Sequence, residues 1–264
     1  MSQYDDDTAL EQLDDGRWSG RVSEHWNIGG NPNGGYLVSL VLQAFQTLGP
    51  HQDPLSVTTH YLRPGSPGEP CVVEAELVRT GRTITTARGR LIQGGKERLE
   101  VVAALGDLGA TADDGPTLSV DAPDMPPPEE CPVRSAGEQG VALPLLDRLD
   151  IRIHPDHYRA GEAGAAEMSG WIRLADGAPP DSRSVAMFAD AFPPSLFGLL
   201  GVIGWVPTIE LTVHVRRRPA PGWIMGRFRT EDLLDGRMIE SGHLWDETGA
   251  LVAQSRQLGL LLNR

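Results

Sequence analysis

The sequence predicts an α+β fold in which a long helix followed by an antiparallel run of strands is built twice. Two helices carry the first part of that reading. Residues 36–48, YLVSLVLQAFQTL, are apolar nearly all round, the pattern of a helix with no solvent face. Residues 181–192 place Val185, Phe188, Ala189 and Phe192 at three- and four-residue spacing, which makes one apolar stripe. The second part is a recurrence. HYLRPGSPGEPCVVEAEL lines up with HVRRRPAPGWIMGRFRTE, Gly81-Arg82 with Gly236-Arg237, and GRLIQGG with GHLWDETG. A period of about 150 residues is too long for a solenoid and suits two similar domains. A helix that is apolar all round must be surrounded, so each sheet wraps its own helix and the halves join to cover the remaining sheet surface. That arrangement is a double hotdog, with residues 1–108 as the first hotdog domain, 109–145 as a linker and 146–264 as the second.

In chain order, MSQYDDDTAL is acidic and lacks the apolar core of a secretory signal. Residues 17–28 have scattered strand character, and GGNPNGG at 29–35 reads as a loop leading into the first helix. Four strands follow it. LSVTTHYLRPG stops at Pro64-Gly65, and CVVEAELVR alternates Val73, Ala75 and Leu77 with Glu74 and Glu76. TITTARGRLIQ and ERLEVVAALG are joined at the Gly94-Gly95 turn. Residues 111–142 carry scattered acids and Pro126-Pro127-Pro128 without periodicity, the composition of a partly extended, exposed linker. Strands are expected again at 149–153 and 165–174. The helix from 181 has Asp181 and Ser182 as N-cap candidates, and Pro193-Pro194 should end it. TIELTVHVR, WIMGRFRTEDLL, RMIESGHLWD and ALVAQSRQLGLLL complete the second set.

Composition narrows the function. The chain has 264 residues, 40% hydrophobic and 22% charged, as in an ordinary globular protein. Its net charge of −13 argues against nucleic acid as the main partner. The longest apolar run, residues 196–206, is too short for a bilayer, which needs about 20 residues. Cys71 and Cys131 are the only cysteines and form no CxxC or metal-like cluster, so a reduced, cytoplasmic protein without structural zinc is expected.

Three polar residues of the second half stand out. Asp190 is the one acid within its helix and sits near the C-terminal end, where the dipole disfavours a carboxylate. Taken alone it reads as an exposed residue. Thr208 opens the next strand, where strict alternation puts Thr208, Glu210, Thr212, His214 and Arg216 on one face. Gln257 lies in the last strand on the apolar side with Leu251, Ala253 and Leu261, and a buried amide must find partners. Arg216, Arg217 and Arg218 form the only basic cluster. No GxSxG elbow is present, which argues against an α/β-type serine hydrolase.

From about residue 17 to 262 the chain resembles the bacterial acyl-CoA thioesterase II (TesB-like) family of double hotdog thioesterases. The matching text is NGGYLVSLVLQAF, HYLRPGSPGEP, MFADAFPP, PTIELTVHVRRRP and VAQSRQLG. The resemblance implies a catalytic set of an Asp on the second hotdog helix, a Thr opening the next strand and a Gln in the final strand. These fall on Asp190, Thr208 and Gln257. Where the family has Gln-Glu-Gly this chain has Gln257-Leu258-Gly259, and the first half has Ala104 where the second has Gln257. The implied reaction is hydrolysis of an acyl-CoA thioester by activated water, in fatty acid metabolism, with no metal or redox cofactor and with a homo-oligomer expected. Gly34 and Gly35, at the start of the first helix, are candidate oxyanion donors. Arg216, Arg217 and Arg218 are candidates for the coenzyme A phosphates.

Two other readings stay open. A double hotdog dehydratase or hydratase on 3-hydroxyacyl or enoyl thioesters would use a His in HxxxGxxxxP. Here His25-Trp26-Asn27-Ile28-Gly29 is followed by Gly34 rather than Pro, and Pro194 stands four residues after Asp190. A non-catalytic acyl-thioester binding protein would keep the fold without turnover.

Overall fold

The computed structural model describes residues 2–109 and 116–262. In the first half, α1 (Gln3–Asp7), β1 (Glu11–Asp14) and β2 (Arg17–Arg21) precede a small ribbon of β3 (Asn27–Ile28) and β4 (Asn31–Pro32). Then come α2 (Gly34–Leu48), β5 (Asp53–Tyr61), β6 (Pro70–Thr80), β7 (Thr85–Gln93) and β8 (Lys96–Gly106). The second half contains α3 (Ala136–Gln139), β9 (Leu149–Ile153), β10 (Glu167–Leu174), α4 (Ser182–Phe188) and α5 (Leu196–Leu200). It ends with β11 (Thr208–Val215), β12 (Ile224–Leu234), β13 (Arg237–Asp246) and β14 (Leu251–Leu260).

All strands except the ribbon form one antiparallel sheet of twelve, ordered β1-β2-β6-β7-β8-β5-β11-β14-β13-β12-β10-β9. Six strands come from each half, in mirrored order about the β5–β11 pair. Along that seam His60 faces Glu210, Thr59 faces Leu211 and Val57 faces Val213. The expected halves are therefore fused through backbone hydrogen bonds, as a double hotdog requires.

Helix α2 forms where the apolar run begins, with Asn33 as N-cap: its Oδ1 accepts the Tyr36 N–H at 2.9 Å. Tyr36, Leu40, Val41, Leu42 and Phe45 are buried on every side of it. Each such residue stabilises the fold by roughly 1.5–3 kcal/mol. Gly89 in β7 lets the helix close onto the sheet, because a Cβ there would lie 2.8 Å from Phe45 Cε1 and 2.9 Å from Val41 Cγ1. Helix α4 starts at a capping box in which Asp181 accepts the Ser184 N–H and Ser184 Oγ accepts the Asp181 N–H. The two helices pack on each other and on the inner face of the sheet.

Three local expectations are corrected. The second helix ends at Phe188 rather than at residue 192. Pro193 has no N–H to continue the ladder, and the last turn tightens to bonds from Asp190 N–H to the Met187 carbonyl and from Ala191 N–H to that of Phe188. Strand β1 was not anticipated, since EQLD is exposed throughout and shows no alternation. The linker is also less free than its composition suggests. The Trp171 and Trp245 indoles donate to the Pro126 and Val120 carbonyls at 2.8 and 2.9 Å, tying the segment to the second half. Leu143 and Leu145 are buried in the main core.

Candidate active site

The site forms where the N-terminus of α2 meets the C-terminal turn of α4. Asn33 donates its side-chain amide to the Asp190 carbonyl at 2.8 Å and to Asp190 Oδ2 at 3.2 Å. The Gly35 N–H donates to the same Oδ2 at 2.8 Å. A carboxylate from the second half thus occupies the positive end of the first half's helix. Oδ1 carries no hydrogen bond among the described residues. Glycine is needed twice for this approach. A Cβ on Gly35 would lie 2.7 Å from the Met187 carbonyl oxygen, and one on Gly34 would lie 2.8 Å from Asp190 Oδ2 and 2.7 Å from Tyr61 Cε1. On the far side, the buried Arg134 guanidinium donates to the Ala191 carbonyl at 2.5 Å and to Gln139 Oε1, which fixes the turn that carries Asp190.

The electrostatics set Asp190 apart. Burial raises its pKa from the ordinary 3.8 to about 7. The Gly35 N–H and the Asn33 amide oppose that rise, while the carboxyl group of Glu240 adds to it. Glu240 lies on the inner face of β13, is itself raised by burial, and accepts the Ser195 N–H at 2.7 Å. Ser195 Oγ in turn shares a 2.8 Å hydrogen bond with Thr230 Oγ1.

Thr208 and Gln257 lie side by side. Gln257 Nε2 donates to Thr208 Oγ1 at 2.7 Å, so the threonine is left to turn its own proton elsewhere. Gln257 faces Glu240 across the β13–β14 ladder and buried Leu211 across β11–β14, which puts it on the inner face. The alternation expected for β11 needs correction here. A register irregularity between Thr208 and Glu210 turns Thr208 inward, away from the face of Glu210 and Thr212. Those two bond to each other at 2.6 Å, and Thr212 bonds to Thr58 at 3.0 Å. No hydrogen bond joins Asp190 to Thr208 or Gln257 among the described residues.

Other candidates fare differently. The Gly35 N–H is committed to Asp190, so it is not an open oxyanion donor; the Gly34 N–H also acts on that carboxylate. Arg218 pairs with Asp53 at 2.7 Å and lies 3.6 Å from Asp107, so its charge is already shared with two carboxylates. Arg216 and Arg217 are exposed, with no ion pair among the described residues. His25 is exposed and lies 3.7 Å from Asp147, and among the described residues no hydrogen bond or ion pair joins it to Asp190, as a direct His–Asp pair would need. Sequence reasoning missed Asn33, Tyr61 and Glu240. For Asn33 a signal was there: an Asn directly before an apolar helix is an N-cap. Among the described residues no helix is long and apolar enough to cross a membrane.

Comparison with known proteins agrees with this architecture. The profile of the acyl-CoA thioesterase N-terminal domain matches residues 22–109, and that of the acyl-CoA thioesterase C-terminal domain matches residues 123–261. A Thermobifida fusca protein assigned to thioesterase II has a solved structure that superposes with a TM-score of 0.88 at 30% identity, covering 100% of this chain and 98% of that one. An acyl-CoA thioesterase II of Mycobacterium marinum gives a TM-score of 0.75 at 24% identity over 99% and 98% of the two chains. A thioesterase-like protein of Talaromyces wortmannii is 24% identical over 98% of this chain and 92% of its own length.

Proposed function

The chain belongs to the acyl-CoA thioesterase family, and from that premise we propose that it hydrolyses acyl-CoA to the free acid and coenzyme A with Asp190 as general base. The observation that carries this reading is the Asp190 carboxyl, raised to about 7 and held by its Oδ2 against Gly35 and Asn33, with Oδ1 left unbonded. A base is most effective when its pKa lies near the working pH, and such a group typically contributes 10²–10⁴-fold. A thioester carbonyl is electrophilic enough for a correctly held water to attack it directly. In this mechanism a water stands between Asp190 and the Thr208–Gln257 pair. Gln257 fixes the threonine oxygen, the threonine proton points to the water or the carboxylate, and the water is held on line for the carbonyl carbon. Oδ1 takes the proton, the hydroxide oxygen bonds to carbon, and the carbon–sulfur bond breaks.

Arg216 and Arg217 remain the proposed contacts for the coenzyme A phosphates, since both are exposed cations in an acidic chain. The exposed apolar residues Leu199 and Leu200 at the end of α5, with Val202 and Trp205 between α5 and Thr208, support the expectation of a homo-oligomer. The test is free-thiol release from a panel of acyl-CoAs, with Asp190→Asn run beside the wild type. The expected result is turnover by the wild type and a fall of at least about 100-fold in a folded variant. Unchanged turnover in Asp190→Asn would remove Asp190 from the mechanism, and acyl-CoA retained without turnover by the wild type would mark a binding protein.

A further inference from the structure

Attack on a thioester places negative charge on the carbonyl oxygen, and that charge needs a donor set in place beforehand. The Gly35 N–H is already bonded to Asp190. Tyr61 offers a donor beside it. It is the last residue of β5, and Val57 and Thr59, at the preceding alternate positions, are buried on the inner face. Its ring lies against Gly34: a Cβ there would be 2.7 Å from Tyr61 Cε1, 3.0 Å from Cζ and 2.8 Å from Asp190 Oδ2. Phenol and carboxylate therefore flank the same glycine. The Tyr61 hydroxyl is buried and makes no hydrogen bond among the described residues. Tyr36 shows the contrast, since its hydroxyl accepts the Ser23 N–H at 2.9 Å and donates to the Asp7 carbonyl at 2.8 Å.

A buried hydroxyl without a partner costs about 1–3 kcal/mol, and phenylalanine would fill the same ring volume without that cost. A partner that arrives with the substrate accounts for the hydroxyl. Resting on the hydrolase reading above, we propose that the Tyr61 hydroxyl donates the hydrogen bond that stabilises the oxyanion of the acyl-CoA thioester during attack. Burial, together with the Asp190 and Glu210 carboxylates, holds the phenol well above its ordinary pKa, so it stays a donor across the working range. The step balances. Asp190 takes a proton from water, the hydroxide oxygen bonds to the carbonyl carbon, and the carbonyl electron pair moves onto oxygen beneath the Tyr61 O–H, which keeps its proton. Collapse restores the carbonyl and breaks the carbon–sulfur bond, and the departing sulfur takes the proton from Asp190.

Tyr61→Phe removes one oxygen and tests the assignment. With acyl-CoA, kcat should fall roughly 100-fold, KM should change little, and Tm should hold or rise because an unpaired buried hydroxyl is gone. A trifluoromethyl ketone analogue of acyl-CoA, which adds water at its carbonyl carbon and binds as the tetrahedral hydrate with an oxygen where the oxyanion forms, should lose a similar factor in affinity, while a thioether analogue without a carbonyl should bind the variant like the wild type. An active wild type with an equally active Tyr61→Phe overturns the assignment alone. Equal loss of both analogues also overturns it, as a general packing effect. A wild type that releases no thiol defeats the hydrolase reading and this assignment with it.

Discussion

Asp53 and Asp190 are both acids held against the far half of the molecule, one at each end of α4, and they end in opposite states. Asp53, from the first half, accepts the Ser182 hydroxyl at 2.8 Å, the Leu108 N–H at 3.0 Å and the Arg218 guanidinium at 2.7 Å. Burial alone would raise its pKa, but the Arg218 guanidinium and these hydrogen bonds hold it below the ordinary carboxylate value. Asp190, from the second half, has only neutral donors and no cation, and burial, with Glu240 as a neighbour, raises its pKa to about 7. Burial pushes both carboxyls up; at Asp53 a cation overrides it, and at Asp190 nothing does. Asp53 clamps the start of α4 to the first half, and Asp190 keeps an oxygen unspent.

The difference gives opposite signs for stability. Asp53→Ala should cost roughly 2–3 kcal/mol, read as a lower denaturation midpoint, because it leaves the Ser182 hydroxyl and the Leu108 N–H without their acceptor, while the exposed Arg218 adds little. The contribution of Asp53 is present above its unfolded pKa and lost as pH falls through its lowered folded one, so the penalty should shrink in acid. A wild-type midpoint would show the clamp to be idle.

Asp190→Asn should do the reverse and raise Tm at pH 8, by about 1–3 kcal/mol in stability. The folded pKa lies above the unfolded one, so the bound proton stabilises the native state fully below about 4, and that stabilisation is lost as pH climbs to about 7. The gain from asparagine should be absent at pH 4 and constant above 7. A fall in Tm at pH 8 would contradict the raised pKa.

The smallest effect is Glu240→Gln, which keeps an oxygen for the Ser195 N–H and removes a charge beside Asp190. The acid limb of kcat should move to lower pH by a fraction of a unit. An unmoved limb would uncouple the two acids.

Much of this fold was legible because burial on all sides leaves a plain mark. YLVSLVLQAFQTL can only be a surrounded helix, and strands such as CVVEAELVR declare their inner face by alternation. β1 was hidden because it is exposed and stands by pairing with β2 alone. The types of Asp190, Thr208 and Gln257 were readable, but the inward turn of Thr208 was not, since a bulge leaves no mark in a two-residue period. Tyr61 and Glu240 join the site through approaches between distant segments, which no local pattern records, and Asn33, legible as an N-cap, meets Asp190 by the same kind of approach. The commitment of Arg218 to Asp53 is of the same kind, 165 residues apart in sequence.

The pH dependence of kcat for the wild type, between about pH 5 and pH 9, tests the central claim most directly. A buried base of this kind predicts kcat rising about tenfold per pH unit in acid and levelling near 7, with that limb gone in Asp190→Asn. A kcat that is flat across the range, or that levels where an ordinary carboxylate titrates, would contradict the account and return Asp190 to the class of Asp53.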